Sequence, residues 1–163
     1  HYQKKDYRIL KETKILHQRK KDLSRIQIIE FSILFIILNY LDIASKKIEE
    51  LSEVEFISAN NESFKNSIIE SLTKGIDKSA ILDKINTQYL KLIEEINENS
   101  NIQMITQAKS DDEIRELFDE LILDFKEQSN LKKIESIEKK LINNLDENSY
   151  SELIKLKSQL NRD

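Results

Sequence analysis

The chain has 163 residues, a formal charge of −4, no proline, no cysteine and a single glycine. That composition excludes disulfides, thiol chemistry and glycine-rich phosphate loops, and it leaves almost none of the turn vocabulary that hairpins and barrels need. Apolar residues recur at helical spacing throughout, so the expected fold class is all-α: a multi-helix bundle followed by a long helix that continues into a C-terminal helical hairpin.

The first segment is basic. Residues 1–25 carry nine Lys/Arg against Asp6, Glu12 and Asp22, a net of +6, which leaves −10 on the remainder. Residues 1–24 read as a solvated connecting helix or linker, because Tyr2 and Tyr7 alone do not make a base-stacking surface. We therefore expect no direct nucleic-acid site here. The longest apolar stretch, IQIIEFSILFIIL at 26–38, carries Glu30 and is short for a membrane span. It also lacks the small-residue cleavage site of a signal peptide. It reads as a buried core helix, and together with the lack of cysteine it leads us to expect a cytoplasmic protein without membrane contact.

Serines followed three residues later by Glu or Gln mark helix starts, since side chain and backbone then satisfy each other's hydrogen bonds. Ser52 with Glu55, Ser100 with Gln103, Ser110 with Glu113 and Ser149 with Glu152 have that spacing, and Asn61 and Asp77 are further N-cap candidates. The predicted helices are 25–40, 42–51, 53–58, 61–74, 77–86, 87–98, 101–107, 111–145 and 149–161. Up to residue 128 they suit a compact bundle. Its expected core is Ile29, Ile33, Ile36, Ile37, Leu51, Phe56, Phe64, Ile68, Leu72, Leu82, Ile85, Leu90, Ile93 and Ile96.

The long helix changes character midway. A wide apolar face runs from Ile114 through Leu117, Phe118, Leu121 and Ile122 to Phe125, KEQSN at 126–130 interrupts it, and a second stripe follows at Leu131, Ile134, Ile137, Leu141, Ile142 and Leu145. The interruption is where a hinge or bend between bundle and hairpin (129–163) is expected. Glu138 stands inside the second stripe, and Lys157 stands inside the apolar arc of the last helix. If the chain reverses at 146–149, antiparallel neighbours have numbers summing to about 295. That register sets Leu145 by Tyr150, Ile142 by Leu153, Leu141 by Ile154, Glu138 by Lys157 and Ile134 near Leu160. Two helices cover only the seam between them. Ile137, Ile142, Leu153 and Leu156 are therefore expected as uncovered shoulders, and such shoulders suggest a docking element.

Catalytic chemistry has no candidate. His1 and His17 are isolated in the basic head, and Gly75 stands alone. Glu49 with Glu50, Glu94 with Glu95 and Asp111 with Asp112 are adjacent in helical sequence and point in different directions, as solvated faces do. We expect no catalytic residue, no metal and no cofactor.

Two stretches resemble the C-terminal helicase-binding domain of bacterial replicative primase. EFSILFIILNYLDI at 30–43 is similar to that family's apolar helix with its leucine-asparagine-histidine-proline-glutamate-leucine type exit. Leu38, Asn39, Asp42 and Ile43 fit, while Tyr40 and Leu41 replace histidine and proline. DDEIRELFDELILDFKEQSNLKKIESIEKKLINNLDENSYSELIKLKSQL at 111–160 matches the family's long helix, turn and terminal helix in spacing. The resemblance covers residues 25–163.

It implies a non-catalytic module that binds the N-terminal domain of the hexameric replicative helicase, recruits primase for primer synthesis in DNA replication and modulates the helicase. The polymerase domain of a full-length DNA primase would lie upstream, with residues 1–24 as the link to it. Contact residues expected on the hairpin are Ile142, Tyr150, Leu153, Ile154, Leu156 and Leu160, with Glu138 and Lys157 fixing its register. The competing class is a structural or assembly protein whose hairpin self-associates.

Overall fold

The computed structural model describes residues 23–100, 102–107, 109–143 and 146–160. The basic head at 1–22 and Leu145 lie outside them. Among the described residues all regular structure is helical. None of their helices is long and apolar enough to cross a membrane.

Helix α1, Arg25–Asn39, is the axis of the bundle. It begins at a capping box in which Ser24 N donates to Gln27 Oε1 at 2.9 Å. Ser24 and Gln27 have the same spacing as the expected boxes but are not among them. From Ile29 to Ile37 every residue of α1 is buried, as its continuous apolar run requires. The helix ends at Tyr40, whose φ of −130° leaves the helical range, so the chain breaks there without a proline. Helices α2, Leu41–Lys46, and α3, Ile48–Ser52, follow; they occupy the place of one predicted helix, divided at Lys47.

The predicted helix at 53–58 does not form. Ser52 Oγ donates back to Ile48 O at 2.7 Å instead of capping a new turn. The irregular segment that results is held by side chains from elsewhere. Phe56 N donates to Glu62 Oε2 at 2.8 Å, Ile57 N donates to the Glu30 carboxylate, and Lys65 Nζ donates to Val54 O. Lys65 is buried, lies 2.9 Å from Glu62 Oε1, and sits 5.2 Å from the centroid of the Phe56 ring. These contacts supply the backbone partners that a helix would otherwise have provided.

Glu30 is fully buried, and its second oxygen accepts from Asn61 Nδ2 at 2.9 Å. Asn61 is thus no N-cap; it sits inside α4, Ala59–Thr73. Burial pushes the Glu30 carboxyl above its ordinary value, against the Ile57, Asn61 and Ser58 hydrogen bonds and the charge of Lys132. The folded state therefore holds this proton more tightly than the unfolded chain. The Glu30 contribution to stability should grow as pH falls through its raised pKa and level off below the ordinary carboxylate range. Urea unfolding at a series of pH values, with Glu30→Gln alongside, checks this. The variant should lose that part of the pH dependence, and identical profiles for the two proteins would contradict it.

Helix α4 ends in a glycine cap. Gly75 has φ +66°, with Gly75 N on Leu72 O at 3.0 Å and Ile76 N on Ser71 O at 3.1 Å. Helix α5, Lys78–Gln88, starts at Asp77, whose carboxylate accepts from Ser79 N at 3.1 Å. Helix α6, Leu90–Asn99, buries Leu92 and Ile96, while Leu90, placed in the core by the sequence reading, is exposed in the first turn. Ser100 Oγ is buried and caps nothing, and the short α7, Gln103–Thr106, starts after Ile102.

Helix α8, Asp111–Asn143, does begin with a box: Ser110 N donates to Glu113 Oε2 at 2.8 Å and Glu113 N to Ser110 Oγ at 3.4 Å. Its 33 residues span about 50 Å. Ile114, Phe118, Ile122 and Phe125 are buried against the bundle, chiefly along α1. Ion pairs flank that contact: Arg25 with Asp124 at 3.0 Å, Lys47 with Asp119 at 2.8 Å, and Lys126 with Glu53 at 2.9 Å.

Candidate docking surface

Beyond Phe125 the helix continues unbroken through 126–130, so the interruption in its apolar stripe is not a break in the helix. It is a change of side. At about 100° per residue, the Ile134, Ile137 and Leu141 stripe is rotated by roughly 140° from the stripe that faces the bundle. The last helix, α9 at Glu147–Leu160, packs chiefly on α8, along that second stripe.

Helix α9 begins two residues before the predicted box. Asp146 accepts from Ser149 N at 3.1 Å and from Ser149 Oγ at 2.8 Å, and these bonds hold its carboxyl below the ordinary range. Asp146 thereby takes Ser149 as its partner, and Ser149 is not the cap.

The hairpin has a core of its own. Ile134, Ile137 and Leu153 are buried together, with Leu141, Leu156 and Leu160 packed against them. This cluster is separate from the bundle core, whose last member on α8 is Phe125. Lys157 Nζ lies 2.7 Å from Glu138 Oε1, at the edge of the seam, with both side chains about half exposed. The numbers 138 and 157 sum to 295, so the observed pair has the expected antiparallel register.

The phase about each helix differs from the expected one. Ile137 and Leu153 are not shoulders; they fill the seam, and Leu156 and Leu160 are half-buried beside them. Ile142 is exposed at 82%, as expected of a shoulder, while Ile154, which the register set beside Leu141, is exposed at 53% and Tyr150 at 55%. The cause is geometric. A register sum fixes which turns lie level, but the roll of each helix decides which residue of a turn points inward.

That roll gathers the exposed residues on one side. Measured around α8 from its seam, Glu138, Leu131 and Ile142 fall on the same flank, and around α9 so do Lys157, Tyr150 and Ile154. In an antiparallel pair these two flanks form one surface, and the Glu138–Lys157 contact places it. Leu131, 40% exposed, extends the surface toward the bundle. The opposite flank is polar, with Lys133, Lys140, Glu152 and Gln159. The hairpin therefore presents one apolar face, with an ion pair set in its midline and an aromatic hydroxyl at its tip. Such a face can bury aliphatic groups and orient them by charge and hydrogen bond.

An exposed pair like Glu138–Lys157 contributes about 0–1 kcal/mol, so its main effect is on register. Glu138→Lys and Lys157→Glu each bring like charges together, and the double exchange restores attraction. A double-mutant cycle in thermal unfolding should give a favourable coupling of about 0.5 kcal/mol. Additive losses would show that the two charges act independently.

Among the described residues, no group of three or more His, Cys, Asp or Glu is placed to hold a metal ion. Comparisons with protein-family models, with curated proteins and with solved structures find no match to the chain.

Proposed function

We propose that this chain is the helicase-interaction module of a bacterial DNA primase. Its hairpin docks on the N-terminal domain of the hexameric replicative helicase, recruits the primase for primer synthesis and modulates helicase activity. The observation that carries this reading is the single apolar flank of Leu131, Ile142, Tyr150 and Ile154 on a hairpin with its own core. The resemblance at 30–43 and 111–160 supports the choice of partner, and so does the arrangement of bundle and hairpin on one shared helix.

The contact set proposed here is Ile142, Tyr150 and Ile154 with Leu131 added. Leu153, Leu156 and Leu160 support it from the seam. Homodimerisation through the same flank is the competing reading, since the exposed apolar surface would suit a second copy equally well.

Size-exclusion chromatography with light scattering separates the two. The chain alone should run as a monomer and co-elute with the helicase N-terminal domain when mixed with it. A stable dimer that ignores the helicase domain would replace this reading with the second one.

A further inference from the structure

On α8 the exposed flank is part of a longer stripe. Asp124, Glu127, Leu131, Glu135, Glu138 and Ile142 recur at intervals of three or four residues, so they lie along one side of the helix. The stripe carries four carboxylates and no lysine or arginine. Asp124 is paired with Arg25, and Glu138 with Lys157. Glu127 and Glu135 are exposed and, among the described residues, in no ion pair.

The start of α1 lies at the inner end of this stripe. Arg25 meets Asp124, whereas Asn39 and Tyr40, at the far end of α1, line the same cleft as Asp111. Helix α1 therefore runs antiparallel to α8, and the chain before Arg25 joins the bundle at the end from which α8 runs on into the hairpin. Residues 1–22 carry eight Lys/Arg against three acidic residues, a net of +5. Tyr2, Ile9 and Leu16 are spaced by seven, and the next position in that series, Leu23, packs against the bundle core. From Asp124 to Ile142 the stripe is about 27 Å long, and the 22 residues would span about 33 Å even as a helix.

We infer that the basic head binds this stripe within the same chain and covers the hairpin flank. Its lysines and arginines meet Glu127 and Glu135, and its apolar residues meet Leu131 and Ile142. Three observations select this occupant. The charges are opposite, the reach is sufficient, and the Arg25–Asp124 pair already joins the end of the head to the first carboxylate of the stripe. Because the head is tethered there, its local concentration at the stripe is high and a weak contact suffices. The contact is autoinhibitory, since it occupies part of the face that the helicase domain would use. That consequence rests on the helicase reading, whereas the contact itself does not.

The chain has no cysteine, so Thr13→Cys gives the full chain a single site for a nitroxide label. The amide resonances of Leu131, Glu135 and Ile142 should weaken at low salt and recover at about 0.5 M NaCl, where charges are screened within about 4 Å. Glu127→Lys/Glu135→Lys, at two exposed positions, should abolish the weakening with unchanged circular dichroism. Undiminished resonances at low salt would overturn the inference, as would weakening that survives the charge reversal. So would equal weakening in an isotope-labelled chain mixed with a separate nitroxide-bearing one, because the head would then be reaching a second copy. Autoinhibition has its own readout. Lys11→Glu/Lys14→Glu should bind the isolated helicase N-terminal domain about threefold more tightly than the unaltered chain, as a cover closed about two thirds of the time requires. Equal affinities would contradict autoinhibition. Absence of binding by either protein, with the nitroxide effect intact, would overturn the helicase reading and leave the intramolecular contact standing.

Discussion

Phe125→Ala should lower the unfolding free energy by about 3–5 kcal/mol. The ring is almost fully buried where α8 leaves the bundle, and it meets Phe56 edge-on with centroids 5.4 Å apart. Its removal takes away the apolar area of a large side chain and the aromatic contact together. The neighbours cannot collapse into the gap readily. Phe56 belongs to the 53–58 segment, whose backbone is tied to Glu30, Glu62 and Lys65. A loss of this size is a large fraction of the stability of a domain this long. Urea unfolding followed by circular dichroism reads it as a shift of midpoint at unchanged slope. A loss under about 1 kcal/mol would mean that the junction repacks and that the segment is not held as described.

The second large effect is on binding and leaves stability aside. Ile142→Asp with Ile154→Asp changes two side chains that are already largely in water, so the fold should shift by no more than about 0.5 kcal/mol. If the flank is the docking face, the same pair should weaken the helicase contact by about 2 kcal/mol or more, roughly thirtyfold. Leu153→Asp makes the contrast. Leu153 is buried with Ile134 and Ile137, so a carboxylate there should loosen the hairpin itself. Loss of helix content would then accompany loss of binding.

Much of the fold can be read directly from the residues. Alpha class, the extent of α8 and the reversal before α9 follow from apolar spacing and from two charges set into apolar arcs. Glu138 and Lys157 located the register because only one antiparallel alignment gives each a partner. The 53–58 segment was not legible, because what holds it comes from other elements: Glu30 from α1, and Glu62 and Lys65 from α4. A helix assigned from local pattern cannot anticipate hydrogen bonds from other elements.

Capping motifs failed for a related reason. Of the four Ser boxes only that of Ser110 forms, since Ser52 bonds back to Ile48, Ser100 is buried and Asp146 captures Ser149. The docking face was half legible. Ile142, Tyr150 and Ile154 are exposed on the hairpin, but Leu153, Leu156 and Leu160 are drawn inward by a helix roll that periodicity leaves open.

Docking through the hairpin flank can be measured by isothermal titration calorimetry of the chain and its Ile142→Asp/Ile154→Asp variant into the isolated helicase N-terminal domain. The unaltered chain should show saturable binding, and the variant an affinity at least about thirtyfold weaker with unchanged circular dichroism. Equal affinities for the two proteins, or no heat from either, would contradict it.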